Sequence, residues 1–271
     1  MSIHFSSIRA VILDMDGVLW RGTEVLPGIG EFFAFVEQHR IAFALATNNS
    51  TKTVDAYVER LNSVGVPAGP QNVVTSAVAT AEYICHHYPP GTPVYTIGGE
   101  GIRRALAEQG YPDDPENAQI VVVGMDPALT YEKLKIATLR IRAGAHFIGT
   151  NGDLTFPLPE GLAPGNGATL AALQAATGVA PLVIGKPEKA MFEVALQRLG
   201  TSPEQTLMVG DRLETDIAGA QRARLSTALV LSGTTTREQA AISEIQADGV
   251  FESLPVLRAA WAECLESETV V

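Results

Sequence analysis

Asp14-Met15-Asp16-Gly17-Val18 follows directly on the apolar run from Ile8 to Leu13. Two carboxylates one residue apart, then a glycine, end an ordinary strand badly. They suit the C-terminal edge of a parallel sheet, where open α/β folds bind ligands. The competing reading is a strand followed by a turn, since Asp and Gly both favour turns. The rest of the chain decides between the two.

From Ile8 onward, strand and helix alternate. Glu31 to His39 carries Phe32, Phe33, Phe35 and Val36 at helical spacing. Ile41 to Ala46 is a second apolar strand and stops at Thr47-Asn48-Asn49-Ser50-Thr51. A helix over Thr53–Ser63, a short strand at Asn72–Val74 and a helix over Ala77–Tyr88 follow. This alternation implies a parallel sheet with right-handed crossovers. Pro89-Pro90-Gly91-Thr92-Pro93 is the first strong interruption. Beyond it a second α/β run begins, with strands at 94–97, 120–123 and 145–148, helices around 102–109, 131–143 and 168–177, and a Gly- and Pro-rich stretch at 151–167. We read 86–180 as an inserted domain, and 1–85 with 181–271 as a discontinuous core. In the core's second part, strands are expected at Leu182–Ile184, Thr206–Val209, Thr227–Leu231 and Val250–Phe251. Helices are expected from Pro187 to Leu199, at Ala218–Ala223 and at Pro255–Cys264.

At 271 residues, with 46% hydrophobic content, the chain can bury a substantial core. A net charge of −11 disfavours binding to nucleic acid by long-range attraction. No apolar stretch has membrane-spanning length. The N-terminus lacks the basic-then-apolar pattern of a signal peptide, and Cys85 and Cys264 have no metal-site spacing. A reducing, cytoplasmic setting is the expectation, with no nucleic acid and no membrane among its partners.

Three apolar strands end in polar residues: Asp14 with Asp16, Thr47 with Asn48, and Asp211. Lys186 follows a fourth apolar run. Each alone has an ordinary explanation: a helix cap for Thr47, a solvated lysine for Lys186, turn formers for Asp211 and Asp216. If the four strands share one sheet, the groups converge on one edge. Phosphoryl transfer through an aspartate needs such a set. A carboxylate attacks phosphorus but is repelled by a phosphate dianion until cations intervene. Mg²⁺ prefers oxygen ligands, and one or two carboxylates plus a substrate oxygen suffice. Asp14 and Asp211 can supply them. Lys186 adds a second positive charge, while the Thr47 hydroxyl and the amides near Asn48 can bind phosphate oxygens. Asp16 is left to protonate the leaving oxygen and then to activate water.

Asp14-Met15-Asp16-Gly17-Val18, Thr47-Asn48-Asn49, Lys186-Pro187 and Gly210-Asp211-Arg212-Leu213-Glu214-Thr215-Asp216 resemble the four ordered motifs of the haloacid dehalogenase-like phosphatases. More closely, the chain resembles their NagD / p-nitrophenyl phosphatase-like branch (subfamily IIA). Further pieces of that likeness are Leu19-Trp20-Arg21-Gly22, Thr75-Ser76-Ala77, Gly98-Gly99-Glu100-Gly101 and Pro164-Gly165-Asn166-Gly167. The resemblance implies an α/β fold: a Rossmann-like core with a parallel sheet and an inserted α/β cap domain of the C2 type. It implies Asp14 as nucleophile and Asp16 as general acid and base. Thr47, Asn48, Asn49 and Lys186 become the phosphate-binding set. It implies Mg²⁺ held by Asp14, the Asp16 carbonyl and Asp211, with Asp216 behind them to orient Lys186 or a metal-bound water. Gly149-Thr150-Asn151-Gly152-Asp153 resembles the substrate-facing cap loop, in which Thr150, Asn151 and Asp153 are the candidates.

The expected substrate is a small phosphate ester: a sugar phosphate, nucleoside monophosphate, phosphoglycolate or p-nitrophenyl phosphate. Phe156 stands near where animal relatives carry a substrate-binding histidine, and it cannot donate a hydrogen bond. A dehalogenase proper needs no proton donor such as Asp16. A phosphomutase and a receiver-like signalling module, which also takes Mg²⁺ and phosphate on an aspartate, are the other readings. Relatives often dimerise, so a homodimer belongs to the same expectation. Cap closure is expected to exclude water, with hinges near Tyr88–Gly91 and Ala180–Val183.

Overall fold

The computed structural model describes residues 3–158 and 161–269. The chain forms two compact units. The first comprises 1–47, 57–74 and 187–271, and the second 48–56 and 75–186.

The first unit is built on a six-stranded sheet. Its order is Gly249–Phe251, Ser226–Val230, Thr206–Gly210, Ala10–Leu13, Ala42–Thr47 and Val73–Thr75. Ala10–Leu13 is buried throughout and pairs in parallel with the strands on both sides. Leu13 lies opposite Val209 and Leu45. The same register carries Asp14, Asp211 and Thr47 out of the sheet at one edge. The strands are short and central, so they read as continuous apolar runs rather than alternating ones.

Helix Ile29–Gln38 buries Ile29, Phe32, Phe33 and Val36, one helical stripe, together with Phe35. Gly28 precedes it at φ +80°, and a Cβ there would meet Pro255 Cγ at 2.4 Å. Glycine permits both the backbone angle and this close approach. Helix Leu254–Thr269 contributes Trp261, whose ring lies 5.2 Å from Phe5 and 5.6 Å from Phe35 between centroids.

The second unit has a parallel sheet in the order Leu182–Val183, His146–Gly149, Ile120–Val123, Val94–Ile97. Its helices are Ser76–His87, Glu100–Glu108, Tyr131–Arg142 and Asn166–Thr177. Tyr95, Ile97, Val123, Ile141, Phe147 and Leu170 share its core. Thr75 and Thr130 cap two of the helices by accepting from Val78 N and Lys133 N.

Several expectations change. Leu182–Val183 is a strand of the second sheet, so Lys186 does not emerge from the sheet that carries Asp14. The cause is continued pairing: Ile184 N donates to Gly149 O at 3.0 Å and Gly185 N to Thr150 O at 2.9 Å. Helix Ser76–His87 falls in the second unit, which takes in 48–56 and 75–186 where the sequence suggested 86–180. Both expected hinges therefore lie inside that unit. The Gly- and Pro-rich stretch holds an antiparallel hairpin, Thr155–Leu158 with Gly161–Pro164, where Phe156 pairs with Ala163. Proline is tolerated because both strands are edges. Trp20–Arg21 and Glu24–Val25 form another short hairpin, and Arg237–Ile242 a helix that apolar periodicity did not reveal. Among the described residues no helix is long and apolar enough to cross a membrane.

Candidate active site

In the first unit, Asp14, Asp211 and Asp216 are all buried, and each offers a ligand atom within 4.8 Å of the others. Asp14 ends the central strand, with its amide donating to Val209 O at 2.9 Å. Asp211 ends the neighbouring strand. Asp216 lies in the wide helical turn Leu213–Ile217. Its Oδ2 accepts from Asp211 N at 3.2 Å and Arg212 N at 3.0 Å, so the turn is folded back onto the strand end. Gly210 makes this possible, since a Cβ there would sit 2.3 Å from Asp216 Cβ.

The two oxygens of Asp211 differ. Oδ2 accepts from Thr234 N at 2.6 Å, whereas Oδ1 is buried and has no hydrogen-bond partner. Burial, and then the charge of Asp216, push the Asp211 carboxyl above the usual carboxylate range, while the Thr234 amide works against them. A buried acceptor without a partner is costly, and so is a group of adjacent acids. A hard divalent cation with oxygen ligands would offset both, and the donor set suits one. The residues present fit Mg²⁺.

Asp16 is exposed. Its Oδ1 accepts from the indole N–H of Trp20 at 3.1 Å. The Arg60 guanidinium lies 3.8 Å from the centre of the Trp20 ring, and Arg60 also donates to Gly22 O. Thr47 is buried at the end of its strand, where its side chain hydrogen-bonds the Tyr57 hydroxyl. Burial, and then the charge of Asp16, push that hydroxyl far above the ordinary tyrosine value, which keeps it a neutral phenol.

In the second unit, Asn48 Nδ2 donates to Lys186 O at 2.9 Å and to Asp153 Oδ1 at 3.2 Å. Asn48 O accepts from Ser76 Oγ at 2.6 Å and from Asn151 Nδ2 at 2.8 Å. Asn49 Oδ1 accepts from the amide and hydroxyl of Thr51, an Asx turn. Thr150 is fully buried and donates to Ser50 Oγ at 3.2 Å. Asn166 Nδ2 donates to Asn151 O at 2.8 Å. Thr150 and Asn151 thus hold the framework around Asn48, while Asp153 is only half-buried.

Known proteins are similar to this chain in sequence and in fold. Residues 11–112 match the family described as haloacid dehalogenase-like hydrolase, and residues 183–257 match one described as HAD-hydrolase-like. The 5'-nucleotidase YutF of Bacillus subtilis is 42% identical over 85% of this chain and 90% of its own. The chain belongs to the haloacid dehalogenase-like hydrolases. An acid sugar phosphatase of Staphylococcus epidermidis is 40% identical over 92% of this chain and 96% of its own. Among solved structures, 4-nitrophenylphosphatase of Thermotoga maritima superposes with a TM-score of 0.91 at 35% identity, covering 95% of this chain and 98% of that one. NagD of Escherichia coli K-12 gives a TM-score of 0.85 at 29% identity, covering 94% and 98%. This chain is a phosphatase of the NagD-like branch.

In this haloacid dehalogenase-like phosphatase, the structure brings Asp14, Asp211 and Asp216 into one cluster and sets Thr47 at the same sheet edge. Asn48, Asp153, Thr150, Asn151 and Lys186 belong to the second unit. Motif reading included Trp20 without giving it a role, and missed Tyr57 and the loop Ser232–Thr235. Trp20 carried a signal, because it stands four residues after Asp16. Thr234 carried none: it reaches Asp211 through its backbone amide, which any residue supplies, and through a side chain with no motif around it.

Proposed function

We propose that this phosphatase hydrolyses small phosphomonoesters in a Mg²⁺-dependent reaction that passes through an aspartyl phosphate, an acyl phosphate on Asp14. The observation that carries this reading is the partnerless, buried Asp211 Oδ1 within the cluster that holds Asp14. Asp14, Asp211 and the Asp16 carbonyl would hold the ion, with Asp216 behind them. The ion, when bound, neutralises phosphate charge so that an anionic nucleophile can approach.

Asp14 attacks phosphorus as the bond to the leaving oxygen breaks, and Asp16 delivers a proton to that oxygen. A water then attacks the phosphorus of this acyl phosphate, giving a proton to Asp16 as the P–O bond to Asp14 breaks, which regenerates the Asp14 carboxylate and releases inorganic phosphate. The Thr47 hydroxyl and the amides of Asn48 and Asn49 bind phosphate oxygens. Lys186, assigned on motif order, adds positive charge. The second unit acts as the cap, and Asp153 is its substrate-facing group.

The substrate class follows from the relatives, whose names specify nucleotides, acid sugars and 4-nitrophenyl phosphate. Nucleoside monophosphates and sugar phosphates are the substrates we favour. Both cysteines are free thiols, in keeping with a reducing, cytoplasmic setting. A phosphate-release screen over a panel of such esters, with Mg²⁺ and with EDTA, tests the reading. Turnover should need Mg²⁺, and Asp14→Asn should lower it by about 10³-fold or more with unchanged thermal unfolding. Full turnover in EDTA, or by the Asp14→Asn variant, would overturn it.

A further inference from the structure

We propose that Trp20 is the positioning residue of the acid–base step: its indole N–H anchors one oxygen of Asp16 so that the other exchanges the proton. This rests on the acid–base role proposed for Asp16.

Four observations converge on it. Trp20 is fully buried, whereas Asp16 is exposed, so an otherwise mobile carboxyl is tethered to a side chain that cannot move. The backbone fixes the pair, because Gly17 N donates to Trp20 O at 2.7 Å and residues 16 and 20 form an isolated bridge. The tether itself is the 3.1 Å hydrogen bond from Nε1 to Oδ1. Finally, Arg60 stacks on the indole at 3.8 Å and donates to Gly22 O, which clamps the ring to the hairpin that carries it. A cation over the ring face also draws electron density from it and strengthens the N–H as a donor.

The chemistry fits an indole particularly well. Its N–H is a donor only. It can hold Oδ1 whether Asp16 is protonated or ionised, and it never competes for the proton in transit. That proton leaves the second oxygen for the ester oxygen as the P–O bond breaks, and the same oxygen later takes a proton from the attacking water. A hydroxyl or amide tether could serve as an alternative proton acceptor or donor. The buried Trp261 indole, by contrast, has no hydrogen-bond partner, so burial of an indole in this protein does not by itself require a paired N–H.

The test compares kcat/KM of the full-length protein on two esters with Mg²⁺ present. p-Nitrophenyl phosphate has a leaving group that departs as a stable anion, whereas an alkyl or sugar phosphate needs its leaving oxygen protonated. General acid catalysis contributes about 10²–10⁴-fold. Trp20→Phe, which keeps a ring but loses the donor, should lower kcat/KM at least about 10-fold on the sugar phosphate and less than about 3-fold on p-nitrophenyl phosphate. Equal losses on both esters, or none, would overturn the inference. Asp16→Ala is the control. If it shows the leaving-group split and Trp20→Phe does not, the acid–base reading stands and the role of Trp20 falls. If Asp16→Ala shows no split, the acid–base reading itself falls. Should Trp20→Phe fail to fold, the indole N–H resonance of Trp20 in wild type and Asp16→Ala decides. A shift on losing the carboxyl supports the tether, and an unmoved resonance overturns it.

Discussion

Asp211 owes its position to two glycines packed against its carboxylate. A Cβ on Gly233 would lie 2.1 Å from Asp211 Oδ2, and one on Gly17, at φ +87°, would lie 2.4 Å from the same atom. Neither distance is tolerable, so a Cβ at either position forces the buried Asp211 carboxylate to shift. Gly233→Ala should therefore turn the carboxylate out of place and lower Mg²⁺ affinity by about 10-fold or more, as loss of a group that orients a ligand typically does. Isothermal titration with Mg²⁺ measures this without turnover, and unchanged affinity would mean that the Ser232–Thr235 loop does not hold Asp211. Thr234→Ala keeps the backbone donor and removes only the side-chain bond to Asp211, so it should lower the affinity less than Gly233→Ala does.

Among the elements, helix Leu254–Thr269 buries Leu254, Leu257 and Trp261, of which Trp261 is the largest. Trp261 is fully buried between Phe5 and Phe35. Truncating so large a group leaves a cavity as well as removing apolar contact, so Trp261→Ala should cost about 3–5 kcal/mol. Trp261→Phe should cost much less, below about 1.5 kcal/mol, because it also removes an N–H that has no partner. Chemical denaturation of the two variants separates these outcomes, and equal losses would show that the volume filled by the ring is not what docks the helix. The short helix Arg237–Ile242 depends on its start instead. Thr236 and Gln239 bond each other's backbone amides in a capping box. Thr236→Ala should cost about 1 kcal/mol, seen as a melting temperature lower by about 2–4 °C.

At the scale of the whole molecule, charge and metal act together. The net charge of −11 repels a dianionic ester. Raising ionic strength from about 0.01 to 0.15 M shortens the Debye length from about 30 to 8 Å, so kcat/KM for a phosphate ester should rise modestly with salt. A fall would mean that local positive charge governs the approach. Mg²⁺ should raise the melting temperature, because binding to the folded state alone contributes about 2.7 kcal/mol at 100 times Kd. The same titration on Asp211→Asn should show little shift.

The order and type of the main elements were legible in the sequence, because the buried strands are continuous apolar runs and the helices carry a 3.6-residue stripe. The placement of Asp14, Thr47 and Asp211 at one end of the first sheet was legible too, since each closes or closely follows such a run. What the chain could not reveal is which sheet a short strand joins. Leu182–Val183 is apolar enough for either, and only its pairing with His146–Gly149 assigned it to the second sheet. Partnership between distant groups was equally hidden: an amide at Thr234 meeting Asp211, or Asn48 gathering Asp153 and Lys186 O. Backbone donors have no residue signature, and contacts between residues far apart in sequence depend on strand order. Local chemistry is written residue by residue, whereas the anchoring of each acid is a property of the folded chain.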